Sequence, residues 1–112
     1  LSERIKKLND LLRDEVGKII LRENIAPEGV LITVLRAVIS VTLEHATIYI
    51  SVLPEDRSKE MLKKLKFKIY DIQQQLNKKL KIRTVPKIRF EIDTAELRAQ
   101  HIEELLQKVG EK

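Results

Sequence analysis

The sequence has no cysteine and no tryptophan, and its 112 residues include only three glycines, three prolines and two histidines. Without cysteine there is no disulfide framework, no thiolate metal site and no cysteine nucleophile. Gly17, Gly29 and Gly110 are too scattered to build a phosphate-cradling loop. His45 and His101 fall in different predicted elements, without the close spacing or flanking ligands of a metal pair, and read as structural or surface residues. The acidic residues are dispersed, and neither a nucleophile elbow nor a metalloprotease motif occurs. The chain therefore reads as non-catalytic and without a cofactor. Apolar runs are short as well. The longest lies within Ala37–Leu43, is broken by Ser40 and Thr42, and cannot span a bilayer. Leu1–Lys7 is charged and is followed by no long apolar core, so no signal peptide is expected.

What is present is a chain 43% hydrophobic and 35% charged, suited to one modest core and hence one domain over residues 1–112. The net charge of +5 hides an uneven distribution. Between Lys59 and Arg89 stand eleven basic residues and two acidic ones, Glu60 and Asp71. The remainder holds eleven basic and fifteen acidic residues. A basic block on an otherwise acidic chain fits a polyanionic partner or, more simply, a solvated lysine-rich helix face.

Hydrophobic spacing lays out the elements. Ser2 is an N-cap candidate, and Ile5, Leu8, Leu12, Val16 and Ile19 form one helical stripe ending near Glu23–Asn24. Val30–Ile39, almost wholly apolar, reads as a strand buried on both faces and therefore central. Leu43–His45 connects it to a second strand, Thr47–Leu53. There Ile48, Ile50 and Val52 face one way and Thr47, Tyr49 and Ser51 the other. The short connection requires antiparallel pairing. Pro54 ends that strand, and Ser58 can cap a helix over 59–80 stacked on Leu62, Leu65, Ile69, Ile72, Leu76 and Leu80. Unbroken, such a helix would be about 33 Å long. Ile82–Asp93 is the third strand, with Ile88, Phe90 and Ile92 alternating against Lys87, Arg89 and Glu91. A last helix spans about 94–109.

The order α-β-β-α-β, closed by a C-terminal helix, predicts an α+β domain with a three-stranded mixed sheet covered by helices on one face. It is the order of a type II, bacterial-type KH-like domain, with a core over about 2–93. Most KH domains grip nucleic acid with a Gly-x-x-Gly loop, which this chain lacks.

Two stretches carry a closer resemblance. Leu43–Val52 places alanine before a strand containing Tyr49–Ile50–Ser51. Leu80–Phe90 has a basic turn, Val85–Pro86 and a charged final strand. With Ser2–Ile5 and Ile102–Leu106 in register, the chain resembles the ribosome-binding factor A family over nearly its whole length. That resemblance implies a cytoplasmic, non-catalytic assembly factor, a monomer when free. It would bind the immature small ribosomal subunit and its ribosomal RNA, assist maturation of that RNA, and matter for growth in the cold. The sequence departs from the family twice. Lys68–Ile69–Tyr70 stands where the family has a kinking Ala-x-Gly, which predicts a straighter helix or a bend made without glycine. Thr42 stands where an aspartate is frequent.

The candidate RNA-binding residues are Lys59, Lys63, Lys64, Lys66, Lys68, Tyr70, Lys78, Lys79, Lys81, Arg83, Lys87 and Arg89, expected to form one continuous basic surface. Tyr70 and Phe67 fall off the buried stripe, among lysines. Each could stack on an unpaired base or pack beneath the last helix. Glu23, Glu28, Glu55, Asp56, Asp93, Glu96, Glu103 and Glu104 should face away. The alternative to RNA binding is a protein-interaction module dimerising through the Leu62–Leu80 stripe.

Overall fold

The first helix, α1 (Glu3–Arg22), begins where its sequence supplies a cap: the Ser2 hydroxyl accepts the Ile5 N–H at 3.3 Å. It ends where Asn24 adopts a left-handed conformation, φ 50°. The Asn24 amide then reaches the Leu21 carbonyl and the Ile25 amide the Ile20 carbonyl, the paired bonds of a Schellman motif. The residue after that turn, Ile25, is fully buried, so the cap and the core are formed together. The computed structural model describes residues 2–82 and 84–94. Arg83 and the expected C-terminal helix lie outside the described residues.

The strands are β1 (Leu31–Ile39), β2 (His45–Leu53) and β3 (Lys87–Ile92). They form a three-stranded sheet in the order β1-β2-β3. β1 and β2 pair antiparallel, whereas β2 and β3 pair parallel. The parallel pair needs a crossover. It is supplied by a 3-10 turn (Glu55–Arg57) and two short helices, α2 (Ser58–Phe67) and α3 (Ile69–Lys79).

β2 alternates as its sequence predicts: Ala46, Ile48, Ile50 and Val52 are buried, and Thr47, Tyr49 and Ser51 lie on the other face. β2, not β1, is therefore the central strand, and β1 is an edge of the described sheet. The expectation of a β1 buried on both faces is corrected by its register. A bulge between Val34 and Arg36, opposite Tyr49–Ile50, shifts the alternation by one residue. Ile32 and Val34 before the bulge, and Ala37 and Ile39 after it, oppose the buried residues of β2. Leu31 and Val38 remain 58% and 45% exposed, as an edge strand with an open face allows.

The helices cover one face. Leu12, Val16, Ile19 and Ile20 of α1 meet Met61 and Leu65 of α2, Ile72 and Leu76 of α3, and Ile88 and Phe90 of β3 in one core. Leu62 and Ile69 of the predicted stripe are only partly buried, and Met61 takes an inward position that the stripe omitted. The single long helix is broken at Lys68, whose φ and ψ are −92° and 7°. Ile72 still donates to the Lys68 carbonyl at 3.1 Å. The break is thus made without glycine and without a left-handed residue at position 70. Among the described residues the only non-glycine positive φ values are at Asn24 and Leu43. Ser58 does not cap α2. The 3-10 turn runs straight into the helix, leaving Ser58 helical at φ −60°, ψ −46°.

The other face of the sheet, left open by the described helices, carries an ion pair between a part-buried guanidinium and a buried carboxylate. Arg36 Nη1 lies 3.2 Å from Asp93 Oδ2, and its guanidinium sits 4.1 Å from the centroid of the Tyr49 ring. Asp93 is 2% exposed, so it is no part of an outward acidic face as its sequence context suggested. The Asp93 amide donates to the Ile50 carbonyl at 2.8 Å, which fixes the carboxylate beside β2.

Leu43 holds φ 65° in the β1–β2 connection, where its amide donates to the Ser40 carbonyl at 2.9 Å. A left-handed β-carbon-bearing residue costs about 1–2 kcal/mol, while glycine's extra unfolded-state entropy costs about 0.5–1 kcal/mol. Leu43 is 44% exposed, so its removal also gives up the burial of somewhat more than half of its surface. Relief of the left-handed backbone offsets most of that loss, so Leu43→Gly should leave stability within about 1 kcal/mol of the parent in urea denaturation. A drop of more than about 2 kcal/mol would show that the Leu43 side chain contributes far more than its backbone costs.

Candidate nucleic-acid interface

The basic block is distributed by the helix period. Met61 and Leu65 anchor α2 to the core, which turns Lys59, Lys63 and Lys66 outward, all exposed. Lys64 lies on another side. Its ammonium donates to the Ile25 carbonyl at 2.7 Å and ties α2 to the loop after α1. Lys68, at the break, is only half-exposed. Phe67 and Tyr70, on either side of that break, are 87% and 71% exposed. Neither ring is buried.

The two acidic residues of the block are handled differently. Arg57 grips Glu60 with two hydrogen bonds, Nε to Oε1 at 2.7 Å and Nη2 to Oε2 at 2.9 Å. Those bonds and the guanidinium charge hold the Glu60 carboxyl below its ordinary value. Its negative charge is thus matched by a cation that is not one of the candidates. Asp71 remains exposed at the start of α3.

α3 is pinned on both sides by glutamines. Gln75 accepts from Arg22 at 2.7 Å and donates to Glu23 at 2.9 Å, joining it to the end of α1. Gln73 donates to the Pro86 carbonyl at 3.1 Å and accepts from the Ile88 amide at 2.9 Å, joining it to the start of β3. The helix end is consequently fixed. Leu80 turns inward and is buried, while Lys78, Lys79 and Lys81 stand exposed around it. Lys78 and Lys79 occupy the last turn of α3, where cations complement the exposed carbonyls.

Lys87 and Arg89 belong elsewhere. Ile88 and Phe90 of β3 face the helices, so Lys87 and Arg89 project from the opposite face of the sheet. Arg89 bonds the Thr47 hydroxyl at 3.1 Å and pairs with Glu91 at 3.4 Å. The predicted continuous surface is therefore divided. The exposed lysines of α2 and of the α3 turn share the helical layer, and the β3 cations lie on the open sheet face. Sequence reasoning missed Arg36 and Tyr49 on that open face. Tyr49 on the polar side of β2 was a usable signal, but the reading of β1 as doubly buried concealed the partner strand.

The proposed dimer stripe is not available. Leu65, Ile72, Leu76 and Leu80 are each at most 6% exposed within their own chain's core. Among the described residues no group of three or more histidine or acidic side chains could hold a metal ion. No described helix is long and apolar enough to cross a membrane.

Comparison with known proteins gives a consistent result. A family model for ribosome-binding factor A matches residues 4–106. Ribosome-binding factor A of Chlamydia abortus is 34% identical over 99% of this chain and 95% of the relative. That of Chlamydia caviae is 35% identical over the same shares. The crystal structure of ribosome-binding factor A from Thermus thermophilus matches with a TM-score of 0.69 at 18% identity, a likeness of fold. It covers 79% of this chain and 94% of that one. A solution structure of a Thermotoga maritima protein matches at 25% identity with a TM-score of 0.57, covering 78% and 88%.

The geometry separates two neighbouring lysines. Lys64→Ala removes a charged donor from a carbonyl and should cost about 1–2 kcal/mol of folding stability. Lys63→Ala, with an exposed side chain, should leave stability within about 0.5 kcal/mol of the parent. Paired denaturation curves read this difference, and equal losses would refute the structural role of Lys64.

Proposed function

The chain belongs to the ribosome-binding factor A family, and on that premise we propose that it is a ribosome assembly factor binding the immature small subunit through its ribosomal RNA. It assists maturation of that RNA without catalysing a covalent step, and it acts in the cytoplasm as a monomer when free. The whole of residues 1–112 serves as one KH-like unit.

The observation that carries this reading is the set of exposed lysines on the helical layer, Lys59, Lys63 and Lys66 on α2 and Lys78, Lys79 and Lys81 around the α3 turn. Their one close acidic neighbour on α2, Glu60, is held by Arg57. Lysines contact phosphates as point charges, giving affinity and orientation with little base reading. Arg83, next after this turn in sequence, joins the same proposed contact. Lys64 and Lys68 support the surface from a half-buried position, and Lys87 and Arg89 meet RNA only where it reaches the other face.

The mechanism follows from binding alone. A protein that makes no covalent change can shift RNA folding only by binding one conformation better than another. Lysines on pinned helices favour the RNA shape whose phosphates match their spacing, and release follows when further folding removes that match.

The test is binding to precursor small subunits across a salt series. Reversal of Lys78, Lys79 and Lys81 to Glu should weaken binding and reduce the slope of log affinity against log salt by about 2–3. An unchanged affinity and slope would remove the lysine turn from the interface.

A further inference from the structure

Two aromatic rings stand in water on the helical layer. Phe67 is the last residue of α2, Tyr70 is the second of α3, and they are 87% and 71% exposed. Exposure of this degree means that neither ring contributes much to the core, which Leu65 and Ile72 fill on the inward side. Phe67 and Tyr70 flank the break at Lys68, three residues apart in sequence, one at the end of α2 and one at the start of α3. Lys63 lies one turn before Phe67 on α2, and Lys66 closes the same helix just before the break, both exposed.

We infer that Phe67 and Tyr70 form a stacking platform for unpaired bases of single-stranded RNA. The inference rests on the RNA-binding reading above and adds the kind of RNA segment bound. The occupant follows from the company that the rings keep. An apolar protein surface would have to strip water from Lys63 and Lys66, whereas a single strand offers π-faces to the rings and phosphates to the lysines. A duplex has its bases stacked and closed, so it can use only the lysines. The exposed cations run from Lys59, Lys63 and Lys66 on α2 to Lys78 and Lys79 on α3, on both sides of the break at Lys68.

The test uses fluorescence anisotropy with two labelled probes, an eight-nucleotide oligoadenylate and an RNA duplex of similar charge. Phe67→Ala and Tyr70→Ala should each weaken single-strand binding by about 5- to 100-fold, with the salt slope unchanged. Phe67→Trp should keep the affinity, and Phe67→Leu, which preserves bulk without a π-face, should lose it. Duplex binding should be the same for all four variants, with circular dichroism confirming the fold. Equal affinity of the alanine variants for the single strand would overturn the platform, as would equal losses on the duplex or failure of the parent protein to bind the octamer. Normal octamer binding with lost binding to the immature subunit would mean that the rings meet protein, and would overturn it too. The Lys78, Lys79 and Lys81 reversal separates the two levels. If it weakens binding while the alanine variants do not, RNA binding stands and stacking falls. If it changes nothing, the wider reading falls.

Discussion

The bulge opposite Tyr49–Ile50 is the constraint on which the layered arrangement rests. A strand presents alternate residues to each face, and a slip of one residue exchanges the faces. β1 carries apolar residues at almost every position, so its hydrophobicity alone does not choose a face. The bulge at Val34–Arg36 lets Ile32 and Val34 oppose Val52 and Ile50, and then Ala37 and Ile39 oppose Ile48 and Ala46. The same slip delivers Arg36 to the open face, where it covers Tyr49 and reaches Asp93. With both faces of the sheet thus assigned, α1, α2 and α3 must all lie on one side.

That one-sided layer decides what the charges can do. Burial of Met61, Leu65, Ile72 and Leu76 orients α2 and α3, and orientation determines which lysines meet solvent. Lys64 becomes a tether to Ile25, whereas Lys63, one residue away, becomes a free cation. Gln73 and Gln75 hold α3 between β3 and α1, so the lysines at its end stand on a fixed frame. Function in this account is a property of exposed side chains on helices whose inner faces are fully occupied.

Much of this was legible in the sequence because it is local. Ser2 and Asn24 mark the ends of α1, and the strict alternation of Ala46 to Val52 fixes the faces of β2. The helical period puts Phe67 and Tyr70 off the buried stripe, while their exposure to water came only with the structure. The unread features depend on contacts distant in sequence or on backbone slips without a residue signature. Nothing in Leu31–Ile39 announces a bulge, since no glycine or proline marks it. Asp93 sits in a charged stretch and looks like a surface acid until Arg36, 57 residues earlier, is brought beside it. The break at Lys68 has no helix-breaking residue, and the continuity of one basic surface failed because β3 alternation sends Lys87 and Arg89 to the other face.

In the proposed complex the helical layer, and not the open sheet face, meets the RNA. Lysine acetylation footprinting on the free chain and on its complex with the immature small subunit, read by mass spectrometry, tests it most directly. Lys59, Lys63, Lys66, Lys78 and Lys79 should be protected, with Lys87 still reactive. Protection of Lys87 while the lysines of α2 and α3 stay reactive would contradict it.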